Sequence, residues 1–146
     1  MIVKKKLERL DQICPGCIVS DRTGKNIYLT TDDVIDDGSR KMSGLVALQN
    51  GLLTFYDHDS QVRVLDKAVY HLYEKKSRGQ NTGRDSPLMS GTVFKMTDDP
   101  EPCIMASVTD NRSADTQVAF GIYSGQKRTV KGDKYVTVYP EAETVF

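Results

Sequence analysis

Short runs of alternating apolar and polar residues, separated by turn-forming residues, follow one another along most of this chain. Runs of about five residues with this period of two predict β-strands. The predicted strands cover residues 17–21, 26–31, 45–49, 52–56 and 61–65, and then 92–96, 103–108, 117–122, 128–130 and 135–139. Residues 2–13 differ, because their apolar positions have near-helical spacing and predict a short N-terminal helix. No longer helix is indicated, so the predicted fold class is all-β.

The two series of strands repeat one another. At an offset of 74 positions Gly51 aligns with Gly125 and Asp59 with Asp133, and at an offset of 75 residues 15–19 align with 90–94. Residues 75–87 contain no apolar side chain, which is typical of an exposed linker. We therefore predict a first domain at 1–74, a linker at 75–88 and a second domain at 89–146. Units this small bury little apolar surface alone, so we expect them to pack together or to oligomerise.

Three segments resemble the five-stranded SH3-like barrel. They are Pro-Gly-Cys-Ile-Val at 15–19, Val-Ala-Leu-Gln-Asn-Gly at 46–51 and the Asp-x-x-Val-x-Val pattern at 59–64. The chain resembles, in pattern, small phage and prophage proteins with tandem barrels of this kind. Such a resemblance implies contacts with peptides, nucleic acid or other subunits, and seldom catalysis. It favours a non-enzymatic protein-binding module, such as a phage-encoded inhibitor or accessory factor, whose partner is a host or viral protein or a second copy of itself.

Composition and charge limit the classes of partner that the chain is expected to bind. Hydrophobic residues make up 38% and charged residues 27% of the chain, and the formal net charge is zero. Nucleic-acid binding needs a concentrated basic face, so it is disfavoured. An RNA-binding module using Lys4–Lys6, Arg22, Lys25 and residues 75–84 stays open, as does a nucleotide or other small molecule bound between the repeats or between subunits. Without a secretion signal or a membrane-spanning run, we expect cytoplasmic location, in the host if viral, and no membrane partner.

Three motifs suggest chemistry, but each has a simpler interpretation. Cys14 and Cys17 form a Cys-x-x-Cys pair, yet Cys17 aligns with Thr92 and no second paired motif completes a zinc site. The residues of the His58-Asp-Ser segment are adjacent and cannot form a triad, so we interpret it as a hairpin tip. The acidic loop at 32–41 lacks the alternating oxygen ligands of a calcium loop. We predict no catalytic residue, cofactor or metal.

The tyrosines are the better candidates for a binding surface, because tyrosine is enriched in interface hot spots. Phe55 and Tyr56 should point to opposite faces of one strand. If Val136 and Val138 face the core, the tyrosines on either side of them are exposed together. The predicted partner-binding residues are Tyr28, Tyr56, His58, Tyr135 and Tyr139. The alternative is that these tyrosines cover the other half of the molecule.

Overall fold

The computed structural model describes residues 6–82, 88–108, 118–130 and 134–146. In these ranges all regular structure is strand, apart from 3-10 turns at Leu10–Gln12 and Glu74–Lys76, which confirms the all-β class. The N-terminal half contains β1 (Leu7–Arg9), β2 (Ile18–Ser20), β3 (Ile27–Asp36), β4 (Lys41–Ala47), β5 (Leu52–Asp57), β6 (Gln61–Val64) and β7 (Val69–His71). The C-terminal half contains β8 (Arg78–Thr82), β9 (Val93–Met96), β10 (Cys103–Val108), β11 (Val118–Gly121), β12 (Lys127–Thr129), β13 (Lys134–Val138) and β14 (Glu143–Val145).

The two halves have the same strand order and the same registers. The order is β1-β6-β2-β3-β4-β5 in the first half and β8-β13-β9-β10-β11-β12 in the second, with every pairing inside a half antiparallel. Aligned residues pair with aligned residues: Val19 with Val64 and Phe94 with Val138, Leu29 with Val46 and Ile104 with Phe120, and Val46 with Leu53 and Phe120 with Lys127. The sequence repeat is therefore also a repeat of backbone pairing.

Two segments form strands that the sequence did not predict. The described part of the predicted N-terminal helix forms β1 and a 3-10 turn, because β1 pairs with β6 and the turn buries Leu10. The predicted linker contains β8, which pairs with β13 along its whole length. β8 occupies the position in the second half that β1 occupies in the first. Both are edge strands whose pairing uses the backbone, which explains why neither needs a marked apolar pattern.

The predicted closed barrels are also wrong. β5, at the end of the first sheet, pairs in parallel with β10 of the other half, where Leu52 lies opposite Ser107. This pairing joins the halves into one continuous sheet, and no pairing among the described strands closes either half into a barrel. In the first half, the free edge of β5 that a barrel would use for closure is occupied by β10 of the other half.

The contacts between the halves have the symmetry of an approximate two-fold axis. The Ser107 amide donates to the Gly51 carbonyl at 3.0 Å, and the aligned Asp32 amide donates to the aligned Gly125 carbonyl, also at 3.0 Å. β7 and β14 pair antiparallel with Tyr70 opposite Thr144, and these two positions are themselves aligned by the repeat. The axis therefore passes between Tyr70 and Thr144.

The apolar core consists of three clusters, one within each half and one between the halves. Each half has its own cluster, containing Val19, Leu45 and Val62 in the first and the aligned Phe94, Ala119 and Val136 in the second. A third cluster lies between the halves and takes residues from both: Leu29, Val46, Leu48, Leu53, Tyr70, Leu72, Val93, Ile104, Ala106, Phe120, Ile122 and Tyr139. Because apolar burial is the main favourable term in folding, the shared cluster makes the stability of each half depend on the other.

Candidate partner-binding face

The structure brings Tyr28 and Tyr56 together, but as part of the first core. Their rings meet edge to face with centroids 6.1 Å apart, and both are half-buried against the cluster that contains Val19. Burial, and then the neighbouring Tyr56 hydroxyl, raise the pKa of Tyr28 to about 12. Phe55 does point the other way, but it packs on the shared cluster. Both faces of β5 thus cover a core, so the expected exposed side chain is not found.

The expected pair of exposed tyrosines on β13 does not form. Val136 and Val138 are buried as predicted, and Tyr135 is 59% exposed, with its ring over Gly79 of β8. Tyr139, however, is only 8% exposed and belongs to the shared cluster. β13 ends at Val138, so the strict alternation stops there, and Tyr139 turns inward as its amide donates to the Val93 carbonyl at 2.8 Å.

His58 lies in the turn after β5, as the repeat predicted. Its amide donates to the Lys41 carbonyl at 3.0 Å, and its carbonyl accepts from the Asp11 amide at 3.1 Å. These bonds connect the turn to β4 and to the 3-10 turn after β1. The backbone of His58 therefore has a structural role.

A group of exposed apolar and aromatic side chains lies elsewhere, on the outside of the β7–β14 ribbon. Tyr70 of β7 and Leu72 just after it are buried, whereas Val69 and Tyr73 are exposed. Val69 is 56% exposed and lies opposite the exposed Val145 of β14. Tyr123, 59% exposed, follows β11 and reaches the same surface from the second half. We call the surface formed by Val69, Tyr73, Tyr123 and Val145 the dyad face.

A groove of about 610 Å³ runs along β7 within the dyad face. Residues 69–76 and Tyr123 line it. His71 packs edge-on against Tyr73, with ring centroids 4.3 Å apart. The Tyr73 hydroxyl donates to Glu143 of β14 at 2.5 Å, and this hydrogen bond raises the pKa of Tyr73. Tyr73 is therefore held in place by His71 beside it and by Glu143 across the ribbon.

The backbone at Tyr73 is unusual. Its φ of 54° lies in the left-handed region, and no other residue with a side chain in the described ranges has a positive φ. A bulky residue in this conformation costs of order 1–3 kcal/mol, and such residues cluster at binding sites. The conformation ends β7 and turns the chain into Glu74–Lys76, which completes the lining of the groove.

The turn that carries Tyr123 is fixed by a charged network that the sequence analysis missed. One carboxylate oxygen of Glu101 accepts from the amides of Tyr123 and Ser124, and the other from the Ser124 hydroxyl and from Arg128. Arg128 also pairs with Asp99 at 2.9 Å. Asp99 and Glu101 lie 29 and 27 positions before Arg128, so no local sequence pattern links them to it. Asn26 aligns with Glu101, so the network belongs to the second half alone.

Two equivalent clefts lie on either side of the axis. The first-half cleft, about 330 Å³, is lined by Gly16, Cys17, Val64 and Leu65 and closed by Tyr123 of the other half. The second-half cleft, about 600 Å³, is lined by the aligned Gly91, Thr92, Val138 and Tyr139 and closed by the aligned Gln49. Each cleft is therefore built from both halves, which is where a ligand site between repeats was expected.

The remaining sequence motifs are the Cys-x-x-Cys pair and the acidic loop. Cys14 is exposed and Cys17 partly buried, both as free thiols, and burial raises the pKa of Cys17. No cluster of three or more His, Cys, Asp or Glu suited to a metal ion occurs in the described ranges. The predicted acidic loop begins as strand, since β3 continues to Asp36. Hydrogen bonds from the amides of Arg40 and Ser39, and from the Ser39 hydroxyl, lower the pKa of Asp37 to about 2.

The basic residues considered for RNA contacts are dispersed among several elements. Arg22 and Lys25 lie in the turn between β2 and β3, where Arg22 donates to Gln61 at 2.8 Å. Lys76 pairs with Glu141 at 3.1 Å beside the dyad face. Lys4, Lys5 and residues 83–84 lie outside the described residues.

Comparison with protein-family models, with curated proteins and with solved structures found no match to this chain. In the described ranges, no helix has the length and apolar character needed to cross a membrane. The inference of function therefore depends on the geometry of the dyad face and of the two clefts.

Proposed function

We propose that this protein is a non-enzymatic protein-binding module and that the dyad face contacts its partner. The observation that carries the proposal is the set of exposed apolar and aromatic side chains around β7 and β14. Exposed Val69 and Val145 lie side by side, and Tyr73 and Tyr123 border the same groove. Rigid, exposed tyrosines beside aliphatic side chains are typical of interface hot spots.

The occupant we propose is an extended segment of another protein. β7 and β14 pair only with each other among the described strands, so the outer edge of β7 has unpaired backbone groups beside the groove. An extended segment can add to such an edge through backbone hydrogen bonds while its alternate side chains enter the groove.

The strand order of each half is consistent with the proposed resemblance to SH3-like barrels. In each half the first and last strands of a five-stranded set pair with one another, β2 with β6 and β9 with β13. This order supports an open relative of the SH3-like fold, a fold that implies peptide contacts. A phage or prophage origin stays a prediction.

The test compares two tyrosines of equal exposure. Tyr123 in the dyad face and Tyr135 on β13 are both 59% exposed. Peptides would be selected from a random library for binding to the whole protein and then titrated against the wild type, Tyr123→Ser and Tyr135→Ser by fluorescence anisotropy. Loss of a hot-spot side chain costs about 2 kcal/mol or more, so Tyr123→Ser should weaken binding roughly 30-fold. Tyr135→Ser should change it less than about twofold.

Three outcomes would contradict the proposal. Equal effects of the two substitutions would place the contact outside the dyad face. Selection of no peptide, together with a salt-dependent shift by mixed RNA, would favour the RNA-binding alternative. Concentration-dependent dimerisation that Tyr123→Ser abolishes would make a second copy of the chain the partner, in place of an extended segment.

A further inference from the structure

The second-half cleft is a site of its own, distinct from the dyad face. Its volume of about 600 Å³ is within the range of small-molecule sites, roughly 300–1,000 Å³. It lies where β8, β9 and β13 of the second half meet Gln49 of the first. Of the four residues that define the dyad face, none lines this cleft.

The walls of the cleft are apolar and well packed. Leu88, Val93, Val138 and Tyr139 line it, and each is less than one-tenth exposed. Burial raises the pKa of Tyr139. These side chains belong to the cluster of the second half and to the shared cluster. The wall is therefore rigid and suited to the apolar body of a ligand.

One positive charge lies above this wall. Arg78 and Gln80 are alternate residues of β8, and their cross-strand partners are the buried Val138 and Val136. Directly paired residues of antiparallel strands share a face, so Arg78 and Gln80 lie on the cleft side of the sheet. Arg78 is the one charged residue in the described lining, and it forms no ion pair with any described residue. An unpaired guanidinium beside an apolar wall is suited to a carboxylate, which it can bind with two hydrogen bonds.

The aligned first-half cleft differs from the second-half cleft in the charge of its lining and in its volume. Pro140 of the second-half cleft aligns with Asp66, which lines the first-half cleft, and no basic residue lines that cleft in the described ranges. The first-half cleft is also about half the size. The two copies share their backbone pairing but differ in charge and volume, so the basic character of the second-half cleft is a property of its side chains and not of the fold.

We propose that the second-half cleft binds a small organic anion, an aromatic carboxylate in chemical class. Its apolar body contacts Val93, Val138 and Tyr139, and its carboxylate pairs with Arg78. Gln80 and Thr92 add uncharged polar groups to the same lining. This site does not depend on the proposed contact of the dyad face with a protein.

The test uses two probes with the same aromatic body and opposite charge, indole-3-acetate and tryptamine. Each would be titrated into the isotope-labelled whole protein and followed by amide chemical shifts. We expect indole-3-acetate to shift the amides of β8, β9 and β13, with tryptamine binding at least several-fold more weakly. Because Arg78 is exposed and its charge is screened, Arg78→Gln should weaken indole-3-acetate binding about fivefold. Arg40→Gln, which changes an exposed arginine on the far turn before β4, should leave it unchanged, as should Tyr123→Ser.

Several results would overturn this proposal. They are equal binding of the two probes, absence of shifts at millimolar indole-3-acetate, shifts confined to β7 and β14, or equal weakening by Arg78→Gln and Arg40→Gln. Amide spectra of Arg78→Gln that match the wild type away from β8 would establish that the variant is folded. Failure of the peptide test with Tyr123→Ser would leave this site unaffected, so the two proposals fail separately.

Discussion

The packing of the halves can be tested at two aligned glycines, Gly51 and Gly125. Both are buried and have left-handed backbone, with φ of 74° and 67°. A Cβ at Gly51 would come closer than 3.0 Å to the Gly91 nitrogen and the Met105 oxygen, two atoms joined by a hydrogen bond of 2.8 Å. At Gly125 it would meet the aligned hydrogen bond, from the Gly16 amide to the Thr30 carbonyl, at 2.9 Å. Each glycine of one half thus packs against a backbone hydrogen bond of the other.

The expected cost of alanine at these positions has three parts. Left-handed backbone costs a residue with a Cβ about 1–2 kcal/mol. Overpacking costs about 1–3 kcal/mol, and a broken buried hydrogen bond about 1–3 kcal/mol. Gly51→Ala and Gly125→Ala should therefore each lower the free energy of unfolding by roughly 3–8 kcal/mol, a large share of the 5–15 kcal/mol typical of a folded domain.

Gly24 provides the matched control. Its φ of 75° is nearly the same as that of Gly51, but a Cβ there would have no heavy atom within 4 Å. Gly24→Ala should therefore cost only the backbone part, about 1–2 kcal/mol. Urea unfolding followed by circular dichroism measures all three variants. If Gly51→Ala and Gly125→Ala cost no more than Gly24→Ala, or if only one of the two is destabilised, the reciprocal packing is wrong.

Three further predictions concern the second half and the titrating groups. Glu101→Gln should lower the free energy of unfolding by about 3 kcal/mol in urea titrations, because it removes one charge of a partly buried pair with Arg128; an unchanged value would contradict the network. Burial raises the pKa of Cys103 to about 12 from an ordinary value near 9, so the folded state favours the neutral thiol. The stabilisation from the neutral Cys103 thiol is complete below pH 9 and is lost as the pH rises towards 12. The free energy of unfolding should therefore fall between pH 9 and pH 12, and Cys103→Ala should make it depend less on pH in that range. With a thiol reagent at pH 8, Cys14 should react at once and Cys103 only on unfolding, since Cys14 is exposed and Cys103 is buried.

Most strands could be predicted because their signal is local. An alternation such as that of β13, with Val136 and Val138 inward, is contained in the residues themselves. The extension of β3 to Asp36 could not, because an acidic segment has no apolar alternation, and part of its support comes from the other half. The Asp32 side chain, for example, accepts a hydrogen bond from the Lys127 amide at 3.0 Å. β8 was missed for a related reason, since its pairing with β13 is made by the backbone.

The candidate site was predicted less well than the strands. Tyrosines were selected for residue type and alternation, yet Tyr139 is buried because β13 ends one residue before it. Tyr123 was not selected, although it is among the most exposed apolar residues in the described ranges. Its exposure depends on the turn that Glu101 holds, a contact that joins residues 22 positions apart. Because this contact joins residues far apart in the sequence, the exposure of Tyr123 cannot be predicted from its neighbours along the chain.

The sequence by itself determined the fold class, the positions of most strands and the existence of two similar halves. These follow from the period-two alternation and from the aligned glycines Gly51 and Gly125, which are properties of the chain read along its length. The tertiary structure alone decided that the halves join edge to edge around a two-fold axis, leaving neither closed, and that Val69 and Val145 remain outside. A strand edge or an apolar face packs against a complementary surface that the fold places beside it. Which surface that is depends on the arrangement of the halves, and residue order along the chain does not specify it.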